Sequence, residues 1–205
     1  MKQVDVELDA LRRALAGCRA CALHEGIRPI VSLATSPQVM LVGQAPGKVE
    51  AEGGRPFAGR AGKTLFAWFA GVGLDEATLR ERMYIAAVTR CFPGAHPSGR
   101  GDRVPSPAER DNCARWLARE RAIIRPRLVI PVGRLAIDAL LGAMPLDRAI
   151  GREHALDDGT PAVPLPHPSG ASSWIHAPGH RALLDRSLEL IRERWAGIHR
   201  RSRAA

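Results

Sequence analysis

Nowhere does this 205-residue chain carry a long uncharged apolar run. Its apolar runs, such as Leu128 to Gly133, are far too short to cross a bilayer, and its first residues lack the basic-then-apolar order of a secretion signal. A soluble, cytoplasmic protein without membrane contact is the expectation. Cysteine is scarce as well, with four in all, Cys18, Cys21, Cys91 and Cys113. In a cytosolic chain so few thiols exclude a disulfide framework as the source of stability. No internal repeat or low-complexity tract is present, which excludes a solenoid and a largely disordered chain.

What is present suits one folded unit. A hydrophobic content of 45% over this length can bury one sizeable core, so residues 1–205 are read as a single domain. About residues 1–25 form an N-terminal helix with a cysteine pair, and about residues 197–205 form a frayed basic tail. Lysine and arginine exceed aspartate and glutamate by 30 to 21, a net charge of +9. A surface of that sign draws polyanions, and nucleic acid is the expected partner.

Elements alternate along the chain. "VDVELDALRRALAGC" has helical apolar spacing and ends at Gly17, so it delivers Cys18 and Cys21 from a helix. "QVMLVG" reads as a strand, "GKTLFAWFAGVG" as a helix and "MYIAAVT" as a second strand. After the Gly/Pro/Arg loop "FPGAHPSGRGDRVPS" comes the helix "SPAERDNCARWLARERAII", with Ser106 as N-cap, Pro107 at its first position and Glu109 completing a capping box. "RLVIPVG", the short helix "RLAIDALLG", the strand "PAVPLPHPSG" and the helix "HRALLDRSLELIRERW" follow. This order predicts an α/β fold, a three-layer α/β/α sandwich around a mostly parallel four-stranded sheet. In such sheets the site gathers at the carboxyl ends of the strands.

Three segments with chemistry fall at those ends: "GQAPGKVEAEGGRPFAGRAG" after the first strand, the exit Ala87 to Cys91, and "PHPSGASSW" after the fourth. A C-x-x-C pair with two distant cysteines points to a metal or cluster, and four thiolates suit either tetrahedral zinc or iron–sulfur. The ordered set "GQAPG", "GRPFAG", the Cys91-Pro93 strand exit, "HPSG" and the four cysteines resembles the uracil-DNA glycosylase superfamily, most closely its iron–sulfur family 4, from Cys18 to about Trp195.

The resemblance implies a monomeric DNA-repair enzyme that flips a deaminated base out of the stack and hydrolyses its N-glycosidic bond, leaving an abasic site. Glu50 would position or activate water, with Glu52 as a nearby competitor, and His167 would donate to uracil O2 as negative charge builds there. Gly43, Gln44, Phe57 and Ala87 would bind the base, Phe57 by stacking. Arg60, Lys63, Ser169, Gly170 and Ser172 would hold DNA phosphates. Cys18, Cys21, Cys91 and Cys113 would ligate one structural [4Fe–4S] cluster. No lysine stands at a motif position where Schiff-base chemistry would be expected, which disfavours lyase activity.

Three features depart from family 4. Gln44 replaces its usual glutamate. Ala87 replaces the asparagine that reads the pyrimidine edge, giving "AAVTRC", closer to family 5. The segment between Cys91 and Cys113 is long, and it lacks the basic run ending in histidine of the uracil-crosslinking branch, with only His96 available. Ala87 motivates one alternative to a strict uracil enzyme, a glycosylase for deaminated purines such as hypoxanthine or xanthine; an alternative of a different class is a catalytically silent protein that binds damaged DNA.

Overall fold

The computed structural model of the protein describes residues 3–23, 26–99, 101–169 and 174–201. Its elements, in chain order, are α1 (Gln3–Ala16), β1 (Val39–Gly43), α2 (Lys48–Gly53), α3 (Arg60–Ala70), α4 (Glu76–Arg82), β2 (Met83–Ala87), α5 (Pro107–Ile124), β3 (Leu128–Pro131), α6 (Arg134–Leu141), α7 (Leu146–Ala149), β4 (His154–Ala155), β5 (Pro161–Ala162) and α8 (His180–Arg201). A 3₁₀ turn, Trp174–His176, precedes α8.

The sheet has five strands in the order β2-β1-β3-β5-β4, all parallel except the β4–β5 pair. The four-strand expectation is therefore corrected by one. His154 and Ala155 form a two-residue strand, joined to β5 by a turn in which Leu156 N–H donates to Thr160 O at 2.9 Å. Two residues are too few to show an alternating pattern. A second correction lies at the carboxyl end, where α8 continues through Arg201 and so runs into the expected tail. The α5 expectation holds in detail: Ser106 Oγ accepts from Glu109 N–H, and Glu109 accepts from Ser106 N–H.

Strand alternation divides the core in two. Val39, Leu41, Ile85 and Ile130 meet Leu65 and Phe69 of α3 and Leu188 and Ile191 of α8. Met40, Val42, Tyr84 and Val129 meet Leu8 of α1, Leu117 of α5 and Ala136 of α6 on the opposite face. The helix that follows β1 thus covers one face and the helix that follows β3 the other. The strand order reverses between these neighbours, and a ligand crevice opens at such a switch point.

Candidate active site

Gly43 ends β1 beside Ala87, the last residue of β2 and its register partner. The Phe57 ring lies over Gly43: a Cβ built there would be 3.0 Å from Phe57 Cζ, so only glycine lets the ring approach this closely. Phe57 holds φ +50°, which bulky residues rarely adopt without support. Arg80 gives that support, donating to Pro56 O at 2.8 Å and Phe57 O at 3.0 Å while its guanidinium sits 4.3 Å from the Phe66 ring centroid. Partial burial pulls the Arg80 pKa down, against the attraction of Glu76. Nothing in the sequence motif marks Arg80, because the contact spans 23 residues.

Across the switch point, Gly133 follows β3 with φ +85°, and its missing side chain leaves room for two others. A Cβ there would lie 2.9 Å from His167 Cδ2 and 3.1 Å from Gln44 Cδ. Gln44 Oε1 accepts from Leu135 N–H at 3.0 Å, so its amide nitrogen remains as the donor end. His167 Nδ1 faces Ser169 Oγ at 2.8 Å and accepts from Ser169 N–H at 3.2 Å. A backbone N–H can only donate, so the neutral ring carries its proton on Nε2. Burial lowers the His167 pKa and favours that neutral form.

Glu50 is buried within α2, and both of its carboxylate oxygens are engaged. Oε2 accepts from Gly47 N–H at 3.1 Å and Oε1 from Gly59 N–H at 2.9 Å, so Glu50 ties the two ends of the motif loop together. Glu52 is exposed and lies 3.9 Å from Lys48 Nζ, away from this arrangement. A second carboxylate arrives from a distant part of the chain: Asp102 Oδ2 lies 2.8 Å from the point where a Gly47 Cβ would stand, as does Glu50 Oε2. Burial raises the Asp102 pKa and the Glu50 charge adds to it, while an N–H bond from Lys48 partly offsets both. Sequence reading passed over Asp102 because it stands among Gly, Pro and Arg in a loop 52 residues beyond Glu50. The signal was an isolated acidic residue in a basic loop after a strand end.

Arg60 and Lys63 are exposed on the first turn of α3. Ser169 spends its hydroxyl and its N–H on His167. Gly170 and Ser172 lie outside the described residues.

The four cysteines meet at a separate place. Cys18, Cys21, Cys91 and Cys113 line one cavity of ≈ 270 Å³, together with Leu15 and Asn112. Burial, then the neighbouring thiols, push Cys91 up to about 12 and raise Cys113 as well. Cys18 is lowered: burial raises it, but the Ala20 N–H, the Trp116 indole and the Arg115 guanidinium outweigh that. Arg90 N–H donates to Cys113 Sγ at 3.3 Å, and the Asn112 amide approaches Cys21 Sγ at 3.7 Å. The Arg90 side chain is pinned in the core by an ion pair with Glu120, which also accepts from Tyr84 Oη at 2.8 Å. Among the described residues no group of three or more His, Cys, Asp or Glu closes to the spacing of a single metal ion.

Residues 31–195 match the Uracil DNA glycosylase superfamily. The chain belongs to that superfamily. The Type-4 uracil-DNA glycosylase of Archaeoglobus fulgidus is 34% identical over 142 residues, 68% of this chain and 66% of that protein. That of Thermotoga maritima is 30% identical over 158 residues, 74% and 76% of the two chains, and that of Sulfurisphaera tokodaii 27% identical over 197 residues, 91% and 84%. The superfamily match covers the strand-end crevice and two of the four thiols, Cys91 and Cys113, while Cys18 and Cys21 precede it. No helix among the described residues is long and apolar enough to cross a membrane.

Proposed function

We propose that this chain is a monofunctional uracil-DNA glycosylase whose strand-end crevice receives a base flipped out of DNA. The convergence of an Nε2–H donor, an aromatic plate and a carboxylate pair at the ends of β1, β2 and β3 carries this reading. The water oxygen bonds to C1′ of the deoxyribose as the C1′–N electron pair leaves with the base. The water's proton passes to the Asp102 carboxylate, and the departing base is an anion whose O2 accepts from His167 Nε2–H. Donors fixed where charge develops lower the barrier without reorganisation at the moment of reaction. Neutral imidazole suits that role, because its Nε2–H donates to the anion without having to give up its proton.

Glu50 holds Gly47 and Gly59 at the mouth of the crevice and adds negative charge facing the cationic sugar, while Asp102 is the carboxylate left to meet water. Phe57 stacks on the flipped base, and the Gln44 amide nitrogen donates to its edge. Ser169 fixes the His167 tautomer, a second-layer duty that supersedes phosphate binding by its own hydroxyl. Arg60 and Lys63 meet the backbone of the strand, as phosphate contacts position a protein without reading sequence.

Ala87 favours a widened substrate range. A methyl beside Gly43 offers no hydrogen bond to a pyrimidine edge, so discrimination falls to Gln44, the backbone and the shape set by Phe57. Deaminated purines are then processed beside uracil. A panel of duplexes bearing uracil, hypoxanthine, xanthine, cytosine or thymine, scored for free base and abasic sites, tests the assignment. Release of uracil with normal pyrimidines intact supports it; tight binding of every lesion without free base would leave a silent damage-binding protein instead.

The four thiols line one cavity, and we read them as ligands of the iron–sulfur cluster that the likeness to family 4 implies. Cys18, Cys21, Cys91 and Cys113 would hold such a cluster, which would supply a covalent tie between the segment after α1, the exit of β2 and α5. The protein acts on DNA as a monomer and works in the cytoplasm.

A further inference from the structure

The tetrapeptide His-Pro-Ser-Gly occurs twice in this chain, at 167–170 and at 96–99. The first copy supplies His167. The second lies on the loop between β2 and α5, and its described residues repeat the first in geometry. His96 Nδ1 faces Ser98 Oγ at 2.7 Å and accepts from Ser98 N–H at 3.2 Å, against 2.8 and 3.2 Å at His167. By the same reasoning as before, the neutral ring carries its proton on Nε2. Here the residue is exposed rather than sunk in a crevice.

The loop is not loose at this point. Ala95 and Asp102 form an antiparallel bridge, His96 N–H donates to Gly101 O at 2.9 Å, and Arg103 N–H donates to Gly94 O at 3.0 Å. These bonds pair residues 94–96 with residues 101–103 as the two arms of a hairpin. Its root is Asp102, which accepts from Lys48 N–H and flanks Gly47 beside Glu50. The hairpin therefore rises from the edge of the crevice, with an oriented imidazole one residue beyond the root.

We propose that this hairpin, through its described residues 94–99 and 101–103, is a second DNA-contacting element, in which His96 donates from Nε2 to a backbone phosphate adjoining the flipped nucleotide. This rests on the glycosylase reading, because DNA drawn over the crevice brings its backbone against the hairpin. Most protein hydrogen bonds to DNA go to phosphate and sugar, and an exposed donor outside the base pocket meets those oxygens first. Ser98 has already committed its hydroxyl and N–H to Nδ1, which leaves His96 Nε2–H as a donor on the described part of the turn. The role is positional, not catalytic.

The test uses duplexes carrying 2′-fluoro-deoxyuridine, whose electron-withdrawing fluorine disfavours the cationic sugar, so that binding is read without turnover. Affinities of the whole protein, His96→Ala and His96→Gln are measured on this duplex and on versions with one neutral methylphosphonate at each position near the lesion. His96→Ala should weaken binding by about 3- to 10-fold, the scale of one charge-assisted hydrogen bond at a surface, with the single-turnover rate at saturating uracil DNA unchanged. His96→Gln, which keeps a donor, should recover part of the loss. One methylphosphonate position should weaken the parent but not His96→Ala. Unchanged affinity in His96→Ala, or equal sensitivity of both proteins at every phosphate, overturns the inference. A parent that releases no uracil overturns the glycosylase reading instead, and the two failures are thereby separate.

Discussion

At the scale of single residues, two carboxylates beside one glycine have unlike duties, because their hydrogen bonds differ. Glu50 has both oxygens filled by backbone N–H groups, whereas Asp102 receives the Lys48 N–H and is exposed. Asp102→Asn should lower the single-turnover rate by about 10²–10³, the usual cost of one charge-stabilising group, with the melting temperature unchanged. The pH profile checks the assignment. Asp102 must be ionised to take a proton, and the partial desolvation of its carboxyl beside Gly47, then the Glu50 charge, raise its pKa. The rate of the parent should therefore fall as pH drops, with a midpoint above the ordinary aspartate value of 3.8, and Asp102→Asn should lack this limb. His167 does not produce a limb at its ordinary 6.5, because burial shifts its protonation to lower pH. A limb that persists in Asp102→Asn would assign the proton transfer elsewhere. The second residue-scale prediction concerns the base edge: Ala87→Asn should shift preference toward uracil over hypoxanthine by about 1–3 kcal/mol, the worth of a good hydrogen-bonded base contact. Competition between the two substrates in one reaction measures this directly, and an unchanged ratio would remove position 87 from base readout.

At the scale of elements, the start of α5 was written in the sequence to the residue. Ser106, Pro107 and Glu109 stand at the offsets that a capping box requires, and the reciprocal bonds are present. Arg103 adds an ion pair from the hairpin side, at 2.8 Å through Nη1, and this first, with burial opposing it and the Ser106 N–H assisting, lowers Glu109 from 4.5 to about 2. A carboxylate whose folded pKa is depressed stabilises the fold above its unfolded pKa. That contribution is complete above about 4.5 and is lost as pH falls toward about 2. Glu109→Gln should accordingly melt below the parent near neutrality, with the gap narrowing as pH drops through this window. A constant gap would mean the side chain acts through packing and not through its charge. The element that escaped sequence reading, β4, contributes two residues to an edge, where pairing through a short turn decides structure and periodicity has no room to register.

At the scale of the whole molecule, the thiol-lined cavity joins parts of the chain that lie 95 residues apart, from Cys18 to Cys113. Closing so long a loop removes conformational freedom from the unfolded chain, so a bound cluster contributes folding energy. Protein purified without oxygen should be brown, with broad absorbance near about 400 nm from sulfur-to-iron charge transfer. Removing the iron with a chelator should lower the melting temperature while a cluster-loaded sample retains uracil release. Colourless protein holding one zinc per chain would overturn the cluster.

What the sequence determined by itself was whatever depends on spacing along the chain. Alternating apolar runs set the α/β order, the Ser-Pro-x-Glu offset set the α5 start, and the C-x-x-C pair with two further cysteines set the candidate ligands. The positions of Gln44, Phe57 and His167 at strand ends were legible too, because in a parallel sheet every such loop opens on one edge. Only the tertiary structure decided which polar groups are already satisfied. Glu50 reads as a free loop carboxylate until the fold brings Gly59 N–H to it, and Asp102 reads as a solvated loop residue until the hairpin carries it to Gly47. Arg80 gains its hold on Phe57 in the same way, across 23 residues. The physical reason is that a hydrogen bond depends on distances of about 3 Å between atoms, and local spacing does not encode contacts closed by the packing of helices on a sheet.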